Sequence, residues 1–389
     1  VAAPVDDSYS AASGQGIYGG KFNWPVWRRA VAAQTVAEIG ANMLSNVDPK
    51  FDAAVNPNYP LNAPWTATTG FTGLLAYSGG CFDDVGSVFH LPLQGGHADY
   101  AGNEPYKIDL SQDNPTWVRL RNPSGAIGNL GTLNDGQEST GLYFDGRARA
   151  IHSYNKPVCV PGVGPIISVQ GSTSYSGQAG ISRTLFINEV TGEVDLFGAI
   201  NGFAGTTSGG GCCYDPSRHA IWFRGVGTGY YSRYDIATNT WYRHGVSGGG
   251  GGYNSLTYLP DHDCIVRLDQ NLASGFEVFD CATNITHTTT KTGTAVGTVV
   301  TGHAQGWLID GNKIAWWHNL SDTATINTIE FSSNPRTDVW TIDQLTFSGV
   351  TPTVRRNSGT FGRFFYSSKL DGFGLINAVN QKMYFFARS

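Results

Sequence analysis

The strongest constraint on this chain is a segment that keeps returning. Gly211-Cys-Cys-Tyr-Asp-Pro-Ser-Arg-His-Ala-Ile-Trp-Phe-Arg224 reads as a short strand, a turn at Asp215-Pro216 and a second strand. The same shape recurs over Thr140–His152, Ser255–Arg267 and Gly306–His318. Looser copies run over Gly73–Ser78 with Ser87–His90, and over Gly362–Ser367 with Gly374–Asn377. A third strand and a fourth, led by Trp or another hydrophobe, follow. Examples are Tyr106–Leu110 then Thr116–Leu120, Tyr231–Ile236 then Thr240–Arg243, and Ile326–Phe331 then Asp338–Ile342.

One four-stranded sheet cannot bury both of its faces, but six of them packed radially can. The fold class is therefore all-β: about six four-stranded antiparallel blades forming a β-propeller over 61–389, after an N-terminal extension over 1–60. Composition agrees, since 51 glycines, 12% aromatic and only 14% charged residues suit many short strands and tight turns. The last copy supplies three strands, ending at Lys382–Phe386, and the chain then stops. Thr35–Ile39 alternates suitably to be the missing fourth strand and close the ring. The rival is a helix over Trp27–Leu44, which Ala, Gln and Glu favour. Of the two, the closing strand is expected. More than one strand within 13–60 would allow a seventh blade.

The net charge of −5 shows no basic stripe, so a nucleic-acid partner is not expected. No apolar run is long enough to span a bilayer. No Cys or His cluster has metal-binding spacing, so neither metal nor cofactor is expected. The opening Val1-Ala2-Ala3-Pro4 fits a processed N-terminus and export. Cys264 and Cys281 stand symmetrically about the loop 271–275, where a hairpin would bring them within disulfide reach, as in an oxidising compartment. Cys212-Cys213 is a vicinal pair, while Cys81 and Cys159 stand alone.

The pattern Tyr-x-x-(Asp/Pro), strand, Gly-Gly, Tyr-x-x-Asp, Trp resembles kelch repeats over roughly residues 70–389. Its closest local match is Gly95-Gly-His-Ala-Asp-Tyr-Ala-Gly-Asn-Glu104, leading into Tyr106-Lys-Ile-Asp109. Similar stretches occur in kelch-like propellers of secreted bacterial proteins and tailed phages. The resemblance implies an extracellular or virion-surface protein whose partner is a glycan or a neighbouring virion or cell-surface protein. It speaks for fold more than for function.

In a four-stranded blade, the loop leading into the innermost strand and the loop joining strands two and three open on one face. Blade one places Gln94, His97, Asp99 and Tyr100 there, and blade two Glu138, His152, Tyr154 and Asn155. Blade three adds Cys212, Arg224 and Tyr230; blade four adds Tyr253, Asn254, Asp269 and Gln270. Blade five adds His303, Gln305, His318 and Asn319; blade six adds Arg356, Asn357 and Asn377. Such amides, carboxylates and aromatic faces are what sugars require, so the first reading is a binding module that recognises a surface glycan, or docks a neighbouring protein, through this polar ring. A lyase acting on uronate-containing polysaccharide is the alternative. Arg224 would neutralise the carboxylate, with His97, His152, Tyr154, His303 or His318 as acid and base. Their spacing singles out no set. A purely structural role in a phage particle is the third reading. His97-Ala-Asp-Tyr100 also reads as a turn that organises itself, and Trp117, Trp241 and Trp340 as inter-blade packing. Pro157–Ile181 reads as a long insertion in blade two.

Overall fold

Strands that must hide both faces are apolar throughout, not alternating, as the second strands of blades three and six, Ala-Ile-Trp-Phe-Arg over Ala220–Arg224 and Gly-Phe-Gly-Leu over Gly372–Leu375, nearly are, and both are buried at every residue. A computed structural model describes residues 24–49, 52, 70–93, 95, 99–100, 102–124, 142–143, 146–169, 183–199, 209–225, 229–245, 253–269, 276–293, 304–317, 323–354 and 359–389. Among these residues, six sheets each contain one four-stranded antiparallel unit. Blade one is Cys81–Asp83, Val88–Leu91, Tyr106–Asp109 and Trp117–Arg119; blade two is Pro157–Val160, Gly164–Val169, Arg183–Ile187 and Val194–Ala199. Blade three is Gly211–Asp215, Ala220–Arg224, Tyr231–Asp235 and Thr240–His244; blade four is Asn254–Leu259, Cys264–Asp269, Phe276–Asp280 and Ile285–Thr288. Blade five is Trp307–Asp310, Lys313–Trp316, Thr325–Glu330 and Trp340–Thr346. Blade six is Phe364–Ser367, Gly372–Leu375 and Met383–Ala387, completed by Thr35–Ile39. Each innermost strand lies against the next, and that of blade six lies against that of blade one, so the ring is a closed β-propeller.

Burial grades outward from the axis. Asn254–Leu259 and Ala220–Arg224 are buried along their whole length, whereas the outer strand Thr240–His244 has no buried residue. Blade four shows both faces in use. One packs Leu256, Tyr258 and Ile265 on Trp222 and Tyr231 of blade three; the other packs Leu259, Val266 and Leu268 on Ile314, Trp316 and Trp340 of blade five. The recurring aspartates set the turns. The carboxylates of Asp83, Asp109, Asp215, Asp235 and Asp280 each accept backbone N–H groups two or three residues on.

Closure comes from the N-terminus. Thr35–Ile39 pairs antiparallel with Met383–Ala387, Thr35 opposite Ala387 and Ile39 opposite Met383. The helix is confined to Val26–Arg29. The described part of 13–60 contributes one strand, to blade six. Flanking residues fasten blade six to blade one. Arg28 is buried, donates to the carbonyls of Leu370 at 2.6 Å and Ser389 at 2.7 Å, and lies 4.0 Å over the Trp24 ring. Trp27 donates to Leu110 O, and Asn42 exchanges two bonds with the backbone of Trp117 in blade one. Short segments cover two sheet edges: Lys291–Gly293 adds parallel to blade five, and Ser348–Gly349 adds parallel to Thr35–Val36.

Four expectations need correcting. Gly73–Ser78 is not the first strand of blade one: Gly70–Leu75 is a 3₁₀ turn, and the strand begins at Cys81. Leu142 and Ala148 meet in a single bridge, not a hairpin. The inner hairpin of blade two is instead Pro157–Val160 with Gly164–Val169, so much of the expected insertion is blade. Its turn uses Gly162 and Gly164 at φ of 74° and 104°, which side chains rarely adopt. Cys264 and Cys281 are free thiols. The register sets Cys264 opposite Asp280, so the two cysteines face opposite sides of blade four: Cys264 packs toward blade five and Cys281 beside Cys213 toward blade three.

Removing Arg28 would strand the buried carbonyl of Leu370 and release those of Asp371 and Ser389. Arg28→Ala is expected to cost about 2–4 kcal/mol, read as a lower urea midpoint. An unchanged midpoint would show that the clasp does not hold the seam.

Candidate functional site

The innermost strands begin at one end of the channel, and there every blade bonds to the next. Tyr154 N donates to Tyr77 O at 2.9 Å, Cys212 N to Asn155 O at 2.8 Å, and Asn254 N to Gly209 O at 3.1 Å. Gln305 Nε2 donates to Leu256 O at 2.7 Å, Gln305 N to Phe361 O at 3.1 Å, and Arg363 Nε to Ser78 O at 2.8 Å. These bonds make a collar across all six interfaces. Glycine permits the close approach at two of them. A Cβ on Gly79 would stand 1.8 Å from Tyr154 O, and one on Gly362 2.1 Å from Gly80 O.

Aromatic rings fill the collar. Tyr77, Tyr154, Tyr253 and Phe361 come from blades one, two, four and six, and their centroids are all 5.5–6.4 Å apart. Rings from opposite sides of a propeller meet this way only on its axis. Tyr77, Tyr154 and Phe361 have φ of 49°, 49° and 46°, a left-handed conformation that bulky side chains rarely take. Such strain persists where surrounding bonds over-determine the backbone, and it is frequent at ligand sites.

Beside the rings runs a short polar chain. His152 is buried; its Nε2 lies 2.8 Å from Asp99 Oδ2 and its Nδ1 3.2 Å from the Tyr154 hydroxyl. Its ring lies 4.8 Å from that of Tyr77. A carboxylate can only accept, so Nε2 carries a proton toward Asp99; when the imidazole is neutral, Nδ1 is left to accept from the Tyr154 hydroxyl. Burial first, then Tyr253, Tyr77 and Asp99, push the Tyr154 phenol upward, so it stays protonated at neutral pH. Tyr77, Tyr253 and Asp99 are partly exposed, whereas His152, Tyr154 and Phe361 are buried. The chain can pass a proton between Tyr154 and His152 while Asp99 holds the imidazole in one tautomer.

The other expected site residues are spread around this centre. Tyr253 joins the aromatic cluster. Asn254 is buried and works through its backbone, accepting from Asn155 Nδ2 at 2.9 Å; Asp269 closes the strand opposite it. Asn377 is buried and donates to Thr353 Oγ1 at 2.8 Å. Tyr100 does not face a ligand: it is fully buried and, with Tyr106, donates to the carboxyl of Glu104, which burial raises to about 7. Arg224 is buried and ion-paired with Glu277, which also pairs with Arg267 at 3.2 Å and accepts from Tyr231. Withdrawing that guanidinium to neutralise a substrate would leave Glu277 short of countercharge in a buried setting. Gln94, His97, Glu138, Gln270, His303 and His318 lie outside the described residues.

Sequence reasoning passed over Tyr77, Phe361 and Lys156. A signal existed: Tyr77-Ser-Gly, Tyr154-Asn-Lys, Tyr253-Asn-Ser and Phe361-Gly-Arg each stand just ahead of an inner strand. Lys156 is fully buried with its Nζ 5.3 Å from the Tyr154 ring centroid, and burial pulls its ammonium down to about 7. Unfolded lysine titrates near 10.4. The unfolded chain therefore binds more protons between these values, and stability rises with pH from about 7 toward 10, by at most about 1.4 kcal/mol per pH unit. Lys156→Met should flatten this rise in urea denaturation at pH 7 and pH 9; equal slopes would contradict it.

Among the described residues, no group of His, Cys, Asp or Glu is arranged to hold a metal ion, and no helix is long and apolar enough to cross a membrane. No family model and no curated protein matches the chain. Among solved structures, the chain is similar to a structural genomics protein of unknown function from Bacteroides thetaiotaomicron VPI-5482. That match has 12% identity and a TM-score of 0.49, covering 91% of this chain and 76% of that one.

Proposed function

We propose that this propeller recognises a glycan at the aromatic end of its channel, and that it does so outside a cell or on a virion surface. The observation that carries the reading is the convergence of Tyr77, Tyr154, Tyr253 and Phe361 beside the Asp99–His152–Tyr154 chain. Partly exposed tyrosine rings offer faces to the C–H edges of a sugar, and Asp99 offers an acceptor to its hydroxyls. The location rests on the resemblance to kelch-like propellers. Cys264 and Cys281, lying on opposite faces, lend it no support.

The hydrogen-bonded chain specifically favours a second reading, lyase action on a uronate-containing polysaccharide. In that reaction a base takes the proton next to the carboxylate, the bond to the leaving oxygen breaks, and a carbon–carbon double bond forms. Tyr154, kept protonated and backed by His152, has the chemistry of the acid that completes the leaving group. With Arg224 committed to Glu277, the carboxylate needs a different neutralising group.

The test is a screen against uronate-containing and neutral bacterial polysaccharides, with binding and the ultraviolet absorbance of unsaturated sugar read in the same wells. The recognition reading expects binding without product, weakened roughly tenfold by Tyr253→Ala. Product that disappears in Tyr154→Phe while binding persists would make the protein a lyase. Silence in both readouts would overturn both and favour a structural role.

A further inference from the structure

We infer that Cys81 and Cys159 are a disulfide site that staples blade one to blade two. The two residues are 78 positions apart, yet their sulfurs stand 3.0 Å from each other. That is tight for two non-bonded sulfurs and about 1 Å beyond a covalent bond of ~2.05 Å. Both lie on innermost strands that pack directly against each other, Cys81 opposite His90 in blade one and Cys159 opposite Pro165 in blade two. The collar already fixes this interface, through Tyr154 N on Tyr77 O and Gly79 N on Ser153 Oγ. Little backbone movement is therefore needed. The other cysteines are placed differently. Cys212 packs with Val160 and Ile221, Cys213 with Trp222 and Cys281, and Cys264 faces blade five.

The bond forms by thiol–disulfide exchange with a small disulfide such as oxidised glutathione. Its sulfur–sulfur bond breaks, and one forms between Cys81 Sγ and Cys159 Sγ. Two electrons and two protons leave in the two reduced glutathione thiols. Exchange needs a thiolate, and in the folded protein burial and the neighbouring Cys81, Asp83 and Glu189 push the Cys159 thiol well up. The bond would join the innermost strands of two blades that pack on each other, which makes the link structural. Closing a loop of this length lowers the unfolding constant by roughly 30- to 1,000-fold.

To test this, the full chain is incubated with reduced and oxidised glutathione in moderate urea, so that it opens and recloses. It is then alkylated and mapped by mass spectrometry without reduction. The expected result is a Cys81–Cys159 cross-linked peptide, with the other four cysteines alkylated. The linked protein should also unfold at higher urea than the same protein reduced, a difference that Cys159→Ala abolishes. Alkylation of both Cys81 and Cys159, or a bond from either to another cysteine, would overturn the assignment.

Discussion

Six sheets that are apolar on both faces must each find two neighbours, and the pairing of Thr35–Ile39 with Met383–Ala387 makes this possible for the last of them. Without it, blade six would have three strands and an open edge. Arg28 would then lose its place against Leu370 and Ser389, and the seam with blade one would lose Trp27 and Asn42. The closing partners sit near opposite ends of the described chain. Thr35–Ile39 must therefore wait until Met383–Ala387 has been made, which places this fold among those dominated by long-range contacts and slow assembly.

Closure also creates the collar. Each innermost strand starts where its neighbour's backbone can accept or donate, and glycines at 79 and 362 let those backbones come close. Once six interfaces are tied at one level, residues just ahead of the strands have little choice of direction. Tyr77, Tyr154 and Phe361 are held in left-handed backbone conformations as a result, and their rings meet on the axis. His152 reaches Asp99 because blade two is held against blade one there. The candidate site is thus a consequence of ring closure rather than a feature added to it.

Much of this was legible in the sequence. Repeated hairpins with Asp turns gave the blades, and the unpaired final blade pointed to Thr35–Ile39 as its fourth strand. Two frames were misread for a definable reason. In Gly73–Ser78 and Thr140–His152, apolar and aromatic residues imitate a strand, but the inner strands begin only after them, at Cys81 and Pro157. Most of their described residues are buried, as those of a strand would be, and pattern alone does not separate the two. The disulfide expected for Cys264 and Cys281 failed on register. A one-residue offset places neighbouring residues on opposite faces of a sheet. The contact of Cys81 with Cys159 lay beyond sequence reasoning, because it depends on how two blades face each other. Tyr154 and His152 were among the expected residues, whereas their convergence with Tyr77, Tyr253 and Phe361 required the ring.

Native-state hydrogen exchange on the amides of Thr35–Ile39 and Met383–Ala387 tests closure most directly. If the N-terminal strand closes the ring, both segments exchange with the same high free energy, as one unit. If Thr35–Ile39 exchanges orders of magnitude faster while Met383–Ala387 stays protected, the ring does not depend on that strand, and closure from the N-terminus is wrong.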